Sequence, residues 1–494
     1  MLESIKQMLD AFEENKIKYC HWKSNEHLEA ALLGDTDLDM LFIPEQRSKL
    51  DQVLNACGLK RFRATPLMQY NAIEDYIGFD KKTAKIWHLH LHYRMTLGEK
   101  HLKGYTITPW GYQILENRIW NEHGIYTSCF EDELILLLVR NSMKLRWRDA
   151  GKKIGSDDIT ELTWLLGRIN KEKFREHAYQ YLGDSSADEI TRLISEKITQ
   201  KAQMNCLYRI LRKELKPFTG YSSKESWWIR SKREVYWLIG AVIRHAGLST
   251  NKPNRRLSPS GGCAVAFLGC DGAGKSTTID YVKKEFSKKL DVKTVYLGSG
   301  DGSSSLLRKP MKLVARKVGG KGVGHAVEKE YEDMRGTKKK VSMKARLYSI
   351  AKVIWASTLA TEKKKKLHQV TKARNNGMLV LIDRYPQTEI AGYSDGPLLT
   401  RYLEKGHGFL YKIAKKELAV YQSAYINPPD LTLKLMVPTE VAIARKPEMT
   451  VEEINNKKAA VMAMNLSRNS VTVDTSVDMK ESFGNVMGEI WKII

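Results

Sequence analysis

Residues 263–286 read CAVAFLGCDGAGKSTTIDYVKKEF, and this stretch decides the fold of the C-terminal half. The continuous apolar run CAVAFL is followed by Gly269-Cys-Asp-Gly-Ala-Gly274-Lys275-Ser276, which fits the phosphate-loop pattern GxxxxGK[ST]. A strand, a glycine-rich turn and a helix in this order direct backbone N–H groups and the helix N-terminus at phosphate oxygens. The stretch therefore predicts a nucleotide-phosphate site.

The same pattern predicts roles for individual residues. Lys275 would reach the β- and γ-phosphates of ATP, and the Ser276 hydroxyl would bind Mg²⁺. A glycine-rich turn without a ligand is the alternative interpretation, but the flanking strand and helix favour the phosphate site. The other predicted cofactor-binding residues lie in the loop or in a basic segment near the C-terminus: Gly269, Gly272, Ala273, Gly274, Thr277 and Lys446.

Three later segments extend this pattern. Asp383-Arg384-Tyr385 follows the apolar run MLVLI, residues 429–438 read PDLTLKLMVP, and residues 444–448 read ARKPE. With the loop, these segments resemble, in the correct order, the thymidylate kinase branch of nucleotide kinases. They are similar to its DR motif, to the strand that leads into its lid, and to the basic lid itself.

The resemblance implies an ATP- and Mg²⁺-dependent phosphotransferase with a parallel sheet flanked by helices. Its DR motif implies that Asp383 serves the metal and Arg384 a phosphate, and its lid implies that Arg445 closes over ATP. Phosphoryl transfer needs in-line positioning and cations around the transferred group. The predicted catalytic residues are Lys275, Asp271, Asp383, Arg384 and Arg445. The alternatives are a carboxylate that caps the next turn for Asp383, and a solvated helix end for Arg445 and Lys446.

Two departures concern the phosphoryl acceptor. Leu268 precedes the loop where thymidylate kinases usually have Glu, and EIAGYSDGPLL, with Asp395, replaces their usual Ser…AYQ segment. Asp271 lies inside the loop and, if the resemblance holds, would point toward the acceptor and orient its hydroxyl or sugar. The donor half of the site is therefore expected to be kept and the acceptor half altered. The acceptor would be a nucleotide or a sugar or glycan hydroxyl.

A second candidate site lies near the N-terminus. Gly34-Asp-Thr-Asp37-Leu-Asp39 places two carboxylates two residues apart on a predicted strand, so that they share one face. Such carboxylates repel unless a cation lies between them, which suggests Mg²⁺. With the upstream Trp22-Lys23-Ser24, residues 15–95 resemble nucleotidyltransferase-fold proteins, and Ser24 is a candidate turn residue.

That family usually has a third carboxylate on a later strand, where this chain offers His88, His90 and His92. Two-metal nucleotidyl transfer would be weakened if His90 takes the acidic position. The alternatives are an altered transferase, a degenerate nucleotide-binding domain, and a non-magnesium metal site, since imidazoles suit Zn, Fe or Ni. A polar strand face without a ligand is the fourth.

The positive charge is concentrated in two segments. The chain of 494 residues has a formal net charge of +24. Residues 201–256 hold 13 basic and three acidic residues, and residues 308–374 hold 20 basic and five acidic residues. Each segment could bind an anionic membrane surface or nucleic acid. The alternatives are an interdomain helix whose Trp residues pack on the flanking domains, and a solvated basic face.

The predicted fold class is a multidomain α/β protein. It comprises a nucleotidyltransferase-like α+β domain (1–156), a basic helical connector (157–248), a linker (249–262) and a P-loop kinase domain (263–494). The composition excludes collagen, coiled coil and low-complexity disorder as descriptions of the whole chain. Six cysteines without a CxxC pair, and the lack of a signal peptide, predict a cytoplasmic protein, with peripheral association at a membrane as the alternative.

Two further functional hypotheses follow from the sequence. In one, the P-loop domain is an ATP-driven regulator of nucleotidyl transfer by the N-terminal domain. In the other, the protein is a non-catalytic nucleotide-binding scaffold. The sequence leaves the oligomeric state open.

Overall fold

The computed structural model of the protein describes residues 1–146, 149, 151–248, 250–298, 343–390 and 395–494. The chain divides into a first unit, Met1–Ser249 with Asn254–Pro259, and a second unit, Thr250–Pro253 with Ser260–Ile494. The change of unit falls within the predicted linker. The predicted connector 157–248 belongs to the first unit, so the structure does not set it apart as a domain of its own.

The first unit is built on a mixed sheet. Eight strands follow the order β10-β3-β4-β5-β2-β1-β9-β8, and β6 pairs with β7 separately. The strands are β1 (Tyr19–His21), β2 (Leu38–Phe42), β3 (Lys60–Ala64), β4 (Ile73–Asp80), β5 (Lys85–His92), β6 (Met95–Leu97), β7 (Tyr105–Ile107), β8 (Ile119–Trp120), β9 (Tyr126–Thr127) and β10 (Arg256–Leu257). Strand β5 lies parallel to β2 and antiparallel to β4, so His90 lies beside Asp39 on one side and Asp75 on the other.

Helices cover this sheet. They are α1 (Glu3–Glu14), α2 (Leu28–Leu32), α3 (Arg47–Ala56), α4 (Thr108–Glu116), α5 (Phe130–Met143), α6 (Ser156–Leu166), α7 (Lys171–Tyr181), α8 (Asp184–Ser195), α9 (Asn205–Glu214) and α10 (Ser223–His245). One hydrophobic core joins sheet residues such as Cys20 and Leu41 to α5 and onward to α9. The apolar faces of α6, α7 and α9 pack against α5, and α8 packs against α7 and α9. This packing explains why the predicted connector is part of the first unit.

Part of the predicted linker is a strand. Arg256 and Leu257 pair antiparallel with Ala64 and Arg63 of β3. The Arg256 guanidinium also lies 3.0 Å from Asp75. The surrounding Pro, Ser and Asn residues predicted a linker, and these contacts fix its residues 254–259 to the first unit.

The second unit contains the predicted parallel sheet. Its strands are β11 (Cys263–Leu268), β12 (Val292–Tyr296), β13 (Leu379–Asp383), β14 (Leu431–Met436) and β15 (Ser470–Asp474), in the order β12-β13-β11-β14-β15. All the pairings are parallel. Every residue of β11 is buried, as expected for a strand covered on both faces. The structure confirms a mixed α/β fold with a parallel sheet.

The helices of the second unit flank this sheet. They are α11 (Lys275–Ser287), α12 (Met343–Asn375), α13 (Phe409–Ser423), α14 (Thr439–Arg445), α15 (Val451–Ala463) and α16 (Met479–Ile493). The part of the basic segment 308–374 that precedes residue 343 lies outside the described residues. Among the residues that are described, no helix combines the length and apolarity needed to cross a membrane.

Candidate functional site

The phosphate loop connects β11 to α11. Gly272 and Gly274 have φ values of +84° and +80°, which favour glycine, and a Cβ at Gly272 would lie 2.8 Å from the Ala442 carbonyl oxygen. A side chain at either position would strain the backbone, and at Gly272 it would also clash with Ala442, so the loop conformation depends on glycine. Helix α11 begins immediately after it, and Ser276 and Thr277 are exposed in its first turn. Their hydroxyls therefore lie at the positive end of the helix.

Lys275 folds back over this loop. Its Nζ donates hydrogen bonds to the carbonyl oxygens of Gly269 (2.9 Å) and Cys270 (2.8 Å). Burial lowers the pKa of Lys275, and the nearby positive charge of Arg384 acts in the same direction. A buried cation whose hydrogen bonds go to neutral carbonyls is a strong potential partner for an anion.

Asp383 ends β13 beside the loop. It lies next to Phe267 in the pairing of β13 with β11. Its Oδ1 is buried and has no hydrogen-bond partner among the described residues. Burial raises the pKa of Asp383, although Lys275 and Arg384 favour its ionised form. An unsatisfied carboxylate oxygen and an exposed Ser276 hydroxyl are hard oxygen donors, so these residues fit a magnesium ion.

Arg384 adopts a strained backbone conformation. Its φ is +64°, in the left-handed region that non-glycine residues rarely occupy. Its N–H donates to the Phe267 carbonyl oxygen at 3.1 Å. Its guanidinium lies 2.9 Å from Asp271 Oδ1 and 3.8 Å from Asp395 Oδ2. The two carboxylates therefore hold this cation from two sides.

Asp271 has two cationic partners, Arg384 and Lys457. Lys457 was not among the site residues predicted from the sequence. Asp271 Oδ1 accepts from Arg384, and Asp271 Oδ2 accepts from Lys457 of α15 at 2.5 Å. Partial burial opposes ionisation, but Lys457 and Arg384 hold the pKa of Asp271 below its usual value. Both carboxylate oxygens of Asp271 thus accept hydrogen bonds from cations beside the loop. The sequence suggested instead that Asp271 would orient an acceptor.

A buried ion pair holds the segment that departs from thymidylate kinases. Lys363 of α12 is 1% exposed, and its Nζ lies 3.6 Å from Asp395 Oδ1. Glu417 of α13 accepts hydrogen bonds from the backbone N–H groups of Leu398 (3.0 Å) and Leu399 (2.9 Å). Helices α12 and α13 therefore fix residues 395–399 next to Arg384. Neither Lys363 nor Glu417 was singled out from the sequence as a site residue.

The two predicted lid cations differ in their surroundings. Arg445 ends α14 and donates to the carbonyl oxygens of Gly272 (3.1 Å) and Thr475 (3.4 Å). Its side chain thus lies against the phosphate loop. Lys446 is exposed, and its Nζ lies 3.8 Å from Glu448. The structure brings Arg445 to the site and leaves Lys446 at the surface.

The two N-terminal aspartates have separate partners. Asp37 lies 2.9 Å from His88 Nδ1, whereas Asp39 Oδ1 lies 2.9 Å from Lys23 Nζ and 2.8 Å from His90 Nδ1. Burial opposes ionisation of Asp39, but Lys23 and His90 hold its pKa well below the usual value. Lysine and imidazole groups lie against the carboxylates of this pair. The upstream Ser24 is half-buried, with a left-handed φ of +57°.

The aromatic residues of α10 are exposed. Trp227 is 57% exposed and Trp228 is 59% exposed. They lie in the first half of the helix, close to Arg230 and Lys232.

Comparisons with known proteins give distant similarities. No known protein family profile matches the chain. The uncharacterized ATP-binding protein YghR of Escherichia coli (strain K12) is 26% identical over 253 residues, or 50% of this chain and 91% of that protein. The uncharacterized ATP-binding protein YghS of the same strain is 26% identical over 199 residues, or 40% of this chain and 78% of that protein.

Solved structures of nucleotide and nucleoside kinases also align with part of the chain. Thymidylate kinase from Candida albicans is 16% identical with a TM-score of 0.27, and the match covers 47% of this chain and 91% of that one. Deoxyadenosine kinase from M. mycoides is 16% identical with a TM-score of 0.25, covering 46% and 98%. The described geometry itself gives the second unit a P-loop α/β fold.

Proposed function

We propose that the protein is a P-loop kinase that transfers the γ-phosphoryl group of ATP to an acceptor, with Mg²⁺ as cofactor. The observation that carries the proposal is the position of the phosphate loop after β11, directly beside Asp383 and Arg384 at the end of β13. The description of YghR and YghS as ATP-binding proteins supports it.

In this proposal the loop and its cations bind the triphosphate. The loop N–H groups and the α11 N-terminus attract phosphate oxygens, and Lys275 adds a full positive charge. Ser276 and Asp383 would hold Mg²⁺, which supplies charge neutralisation on the phosphates when bound. Arg445 lies against the same loop. No covalent contribution from the protein is required, because positioning and charge stabilise the transition state.

The acceptor would lie on the Arg384 side of the loop. Asp271 and Asp395 orient the Arg384 guanidinium, which can then bind an acceptor phosphate or the transferred group. Residues 395–399 are held by Lys363 and Glu417 and would shape the acceptor pocket. We propose that this pocket takes a nucleoside monophosphate or a sugar or glycan hydroxyl.

The direct test measures ADP formation by the full-length protein with a panel of nucleoside monophosphates, sugars and oligosaccharides, with Mg²⁺ or with EDTA. We expect Mg²⁺-dependent turnover with one acceptor class. Lys275→Ala should lower it by about 100-fold or more, because a cation at the phosphates is removed. Lys283→Ala, at an exposed lysine of α11, is the matched control and should retain activity.

Other outcomes would redirect the proposal. Absence of ATP binding by the wild-type protein would reject a kinase and leave a scaffold. Nucleotide incorporation that persists in Lys275→Ala and disappears in Asp37→Ala with Asp39→Ala would move the activity to the first unit.

A further inference from the structure

Three side chains of the first unit converge around one carboxylate oxygen. Asp39 lies on β2, and His90 and His92 lie on the neighbouring parallel strand β5. Residues two apart on a strand share a face, so both imidazoles lie on the side of Asp39. One ligand atom from each residue lies within 4.8 Å of the others. His90 Nδ1 is 2.8 Å and His92 Nε2 is 3.5 Å from Asp39 Oδ1.

The His92 ring is buried in this cluster, with its Nε2 3.5 Å from Asp39 Oδ1. Its side chain is 1% exposed, and neither ring nitrogen has a hydrogen-bond partner among the described residues. The ring is held edge-on against Trp22, with centroids 5.2 Å apart. A buried polar group without a partner costs about 1–3 kcal/mol. The arrangement thus places a buried imidazole close to a carboxylate without a hydrogen bond between them, at a cost in stability.

We propose that Asp39, His90 and His92 bind a divalent transition-metal ion of the zinc, iron or nickel class. Two imidazoles and one carboxylate are the donors that such ions prefer, whereas magnesium prefers oxygen ligands. His90 and Asp39 keep side-chain exposures of 17% and 13%, so the metal is accessible from solvent.

His88 does not belong to the site, although it lies on the same strand face. Its Nε2 lies 2.8 Å from Asp75, and its Nδ1 lies 2.9 Å from Asp37. Both nitrogens thus face carboxylates. The proposed ligand set is therefore limited to the three residues around Asp39 Oδ1.

Lys23 is the natural competitor of the metal. Its Nζ lies 2.9 Å from Asp39 Oδ1, the oxygen that the metal would use. An ammonium group and a metal ion at one oxygen repel each other, so metal binding must displace Lys23. Removing this charge should strengthen metal binding. If the Lys23–Asp39 ion pair serves only to stabilise the fold, removing the Lys23 charge should not increase the affinity for metal.

The test uses the full-length protein after removal of metals by a chelator. Co²⁺ is titrated by visible absorption and Zn²⁺ by calorimetry, with Mg²⁺ as competitor. We expect one equivalent of Co²⁺ or Zn²⁺ to bind, without displacement by Mg²⁺. His92→Asn and Asp39→Asn should each weaken binding by about 100-fold or more, since loss of an outer-shell partner alone costs about 10–100-fold. Lys23→Met should strengthen binding by about tenfold.

Two controls separate binding from misfolding. His27→Asn changes an exposed histidine outside the cluster and should bind metal like the wild-type protein. Zn²⁺ should raise the melting temperature of the wild-type protein and of His27→Asn but not of a folded His92→Asn variant.

The proposal is overturned if neither the wild-type protein nor Lys23→Met binds Co²⁺ or Zn²⁺, or if His92→Asn leaves their affinity unchanged. Tighter binding of Mg²⁺ than of Zn²⁺ would also overturn it and favour the nucleotidyltransferase-type site. None of these readouts involves ATP, so they are independent of the proposed kinase activity.

Discussion

Arg384 Nη2 donates a 2.9 Å hydrogen bond to Asp271 Oδ1, across 113 residues of sequence. The bond joins the phosphate loop that follows β11 to the turn that follows β13. Because Asp271 also accepts from Lys457, the loop, the DR turn and α15 share one charged network. A movement of the phosphate loop would therefore also move Arg384, which lies on the proposed acceptor side of the site.

Replacing Lys457 should impair turnover more than stability. Lys457→Met leaves one oxygen of Asp271 without its charge-assisted hydrogen bond, so the carboxylate can pull Arg384 out of position. We expect kcat, measured with the acceptor found in the turnover panel, to fall by about tenfold or more. Lys458→Met is the matched control, because Lys458 instead contacts the Thr439 hydroxyl at 3.2 Å. Equal activities of the two variants would contradict this role.

Lys363 should be needed for stability and for acceptor binding. Lys363→Met removes one partner of a buried ion pair and leaves Asp395 buried with less compensation, which typically costs about 3–5 kcal/mol. Chemical denaturation should detect this loss, and the acceptor KM should rise while ATP affinity is retained. Lys364→Met, at an exposed position of the same helix, should have neither effect.

Asp383 should couple ATP binding to Mg²⁺. Asp383→Asn keeps the size of the side chain but removes the charge that a hard cation needs. We expect the gain in ATP affinity on adding Mg²⁺ to shrink by about tenfold, while affinity in EDTA changes little. Calorimetric titrations with and without Mg²⁺ measure both values. An unchanged Mg²⁺ dependence would remove Asp383 from the predicted metal ligands.

Stability of the first unit should fall as the pH rises. Glu133 is fully buried, and burial raises its pKa to about 8, against the hydrogen bonds donated by Asn25. Below pH 4.5 the carboxyl is protonated in both states. Between the unfolded and folded pKa values the folded state binds more protons, so the free energy of unfolding falls by up to about 1.4 kcal/mol per pH unit.

Denaturation series from pH 5 to 9 measure this slope. Glu133→Gln, which cannot ionise, should flatten it. Glu131→Gln is the control on the same helix, since Glu131 instead accepts from the Asn170 N–H at 2.8 Å. The same slope in both variants would show that another group is responsible.

Binding of α10 to an anionic membrane surface stays a prediction. Exposed Trp227 and Trp228 beside Lys224 and Lys232 are typical of a helix that lies in the interface of anionic lipids. Sedimentation with phosphatidylserine vesicles at physiological salt should recover the wild-type protein and lose Trp227→Ser with Trp228→Ser. Trp120→Ser, at an equally exposed tryptophan elsewhere, should still bind. Retention by RNA but not vesicles would contradict it.

Local patterns predicted the elements better than the contacts between them. The apolar run of β11 and the loop glycines are consecutive residues, so spacing alone indicates a strand and a phosphate loop. Such signals depend on neighbours within a few positions, which a single sequence contains.

Long-range partners were not predictable in this way. Lys457 lies 186 residues from Asp271, and Lys363 lies in a run of four lysines of which only one is deeply buried. Nothing in local charge patterning distinguishes Lys363 from Lys364. The strand β10 was missed because its two residues gain their structure from β3 rather than from their own propensity.

The course of the chain around residue 254 bears on how the protein can be dissected. Residues 250–253 belong with the second unit, where Asn376 Nδ2 donates to the Asn251 carbonyl oxygen at 2.7 Å, whereas residues 254–259 return to β3. No single cleavage point therefore yields both halves intact. A fragment ending at Ser249 would uncover the backbone of β3 as a free sheet edge, which invites intermolecular pairing and aggregation.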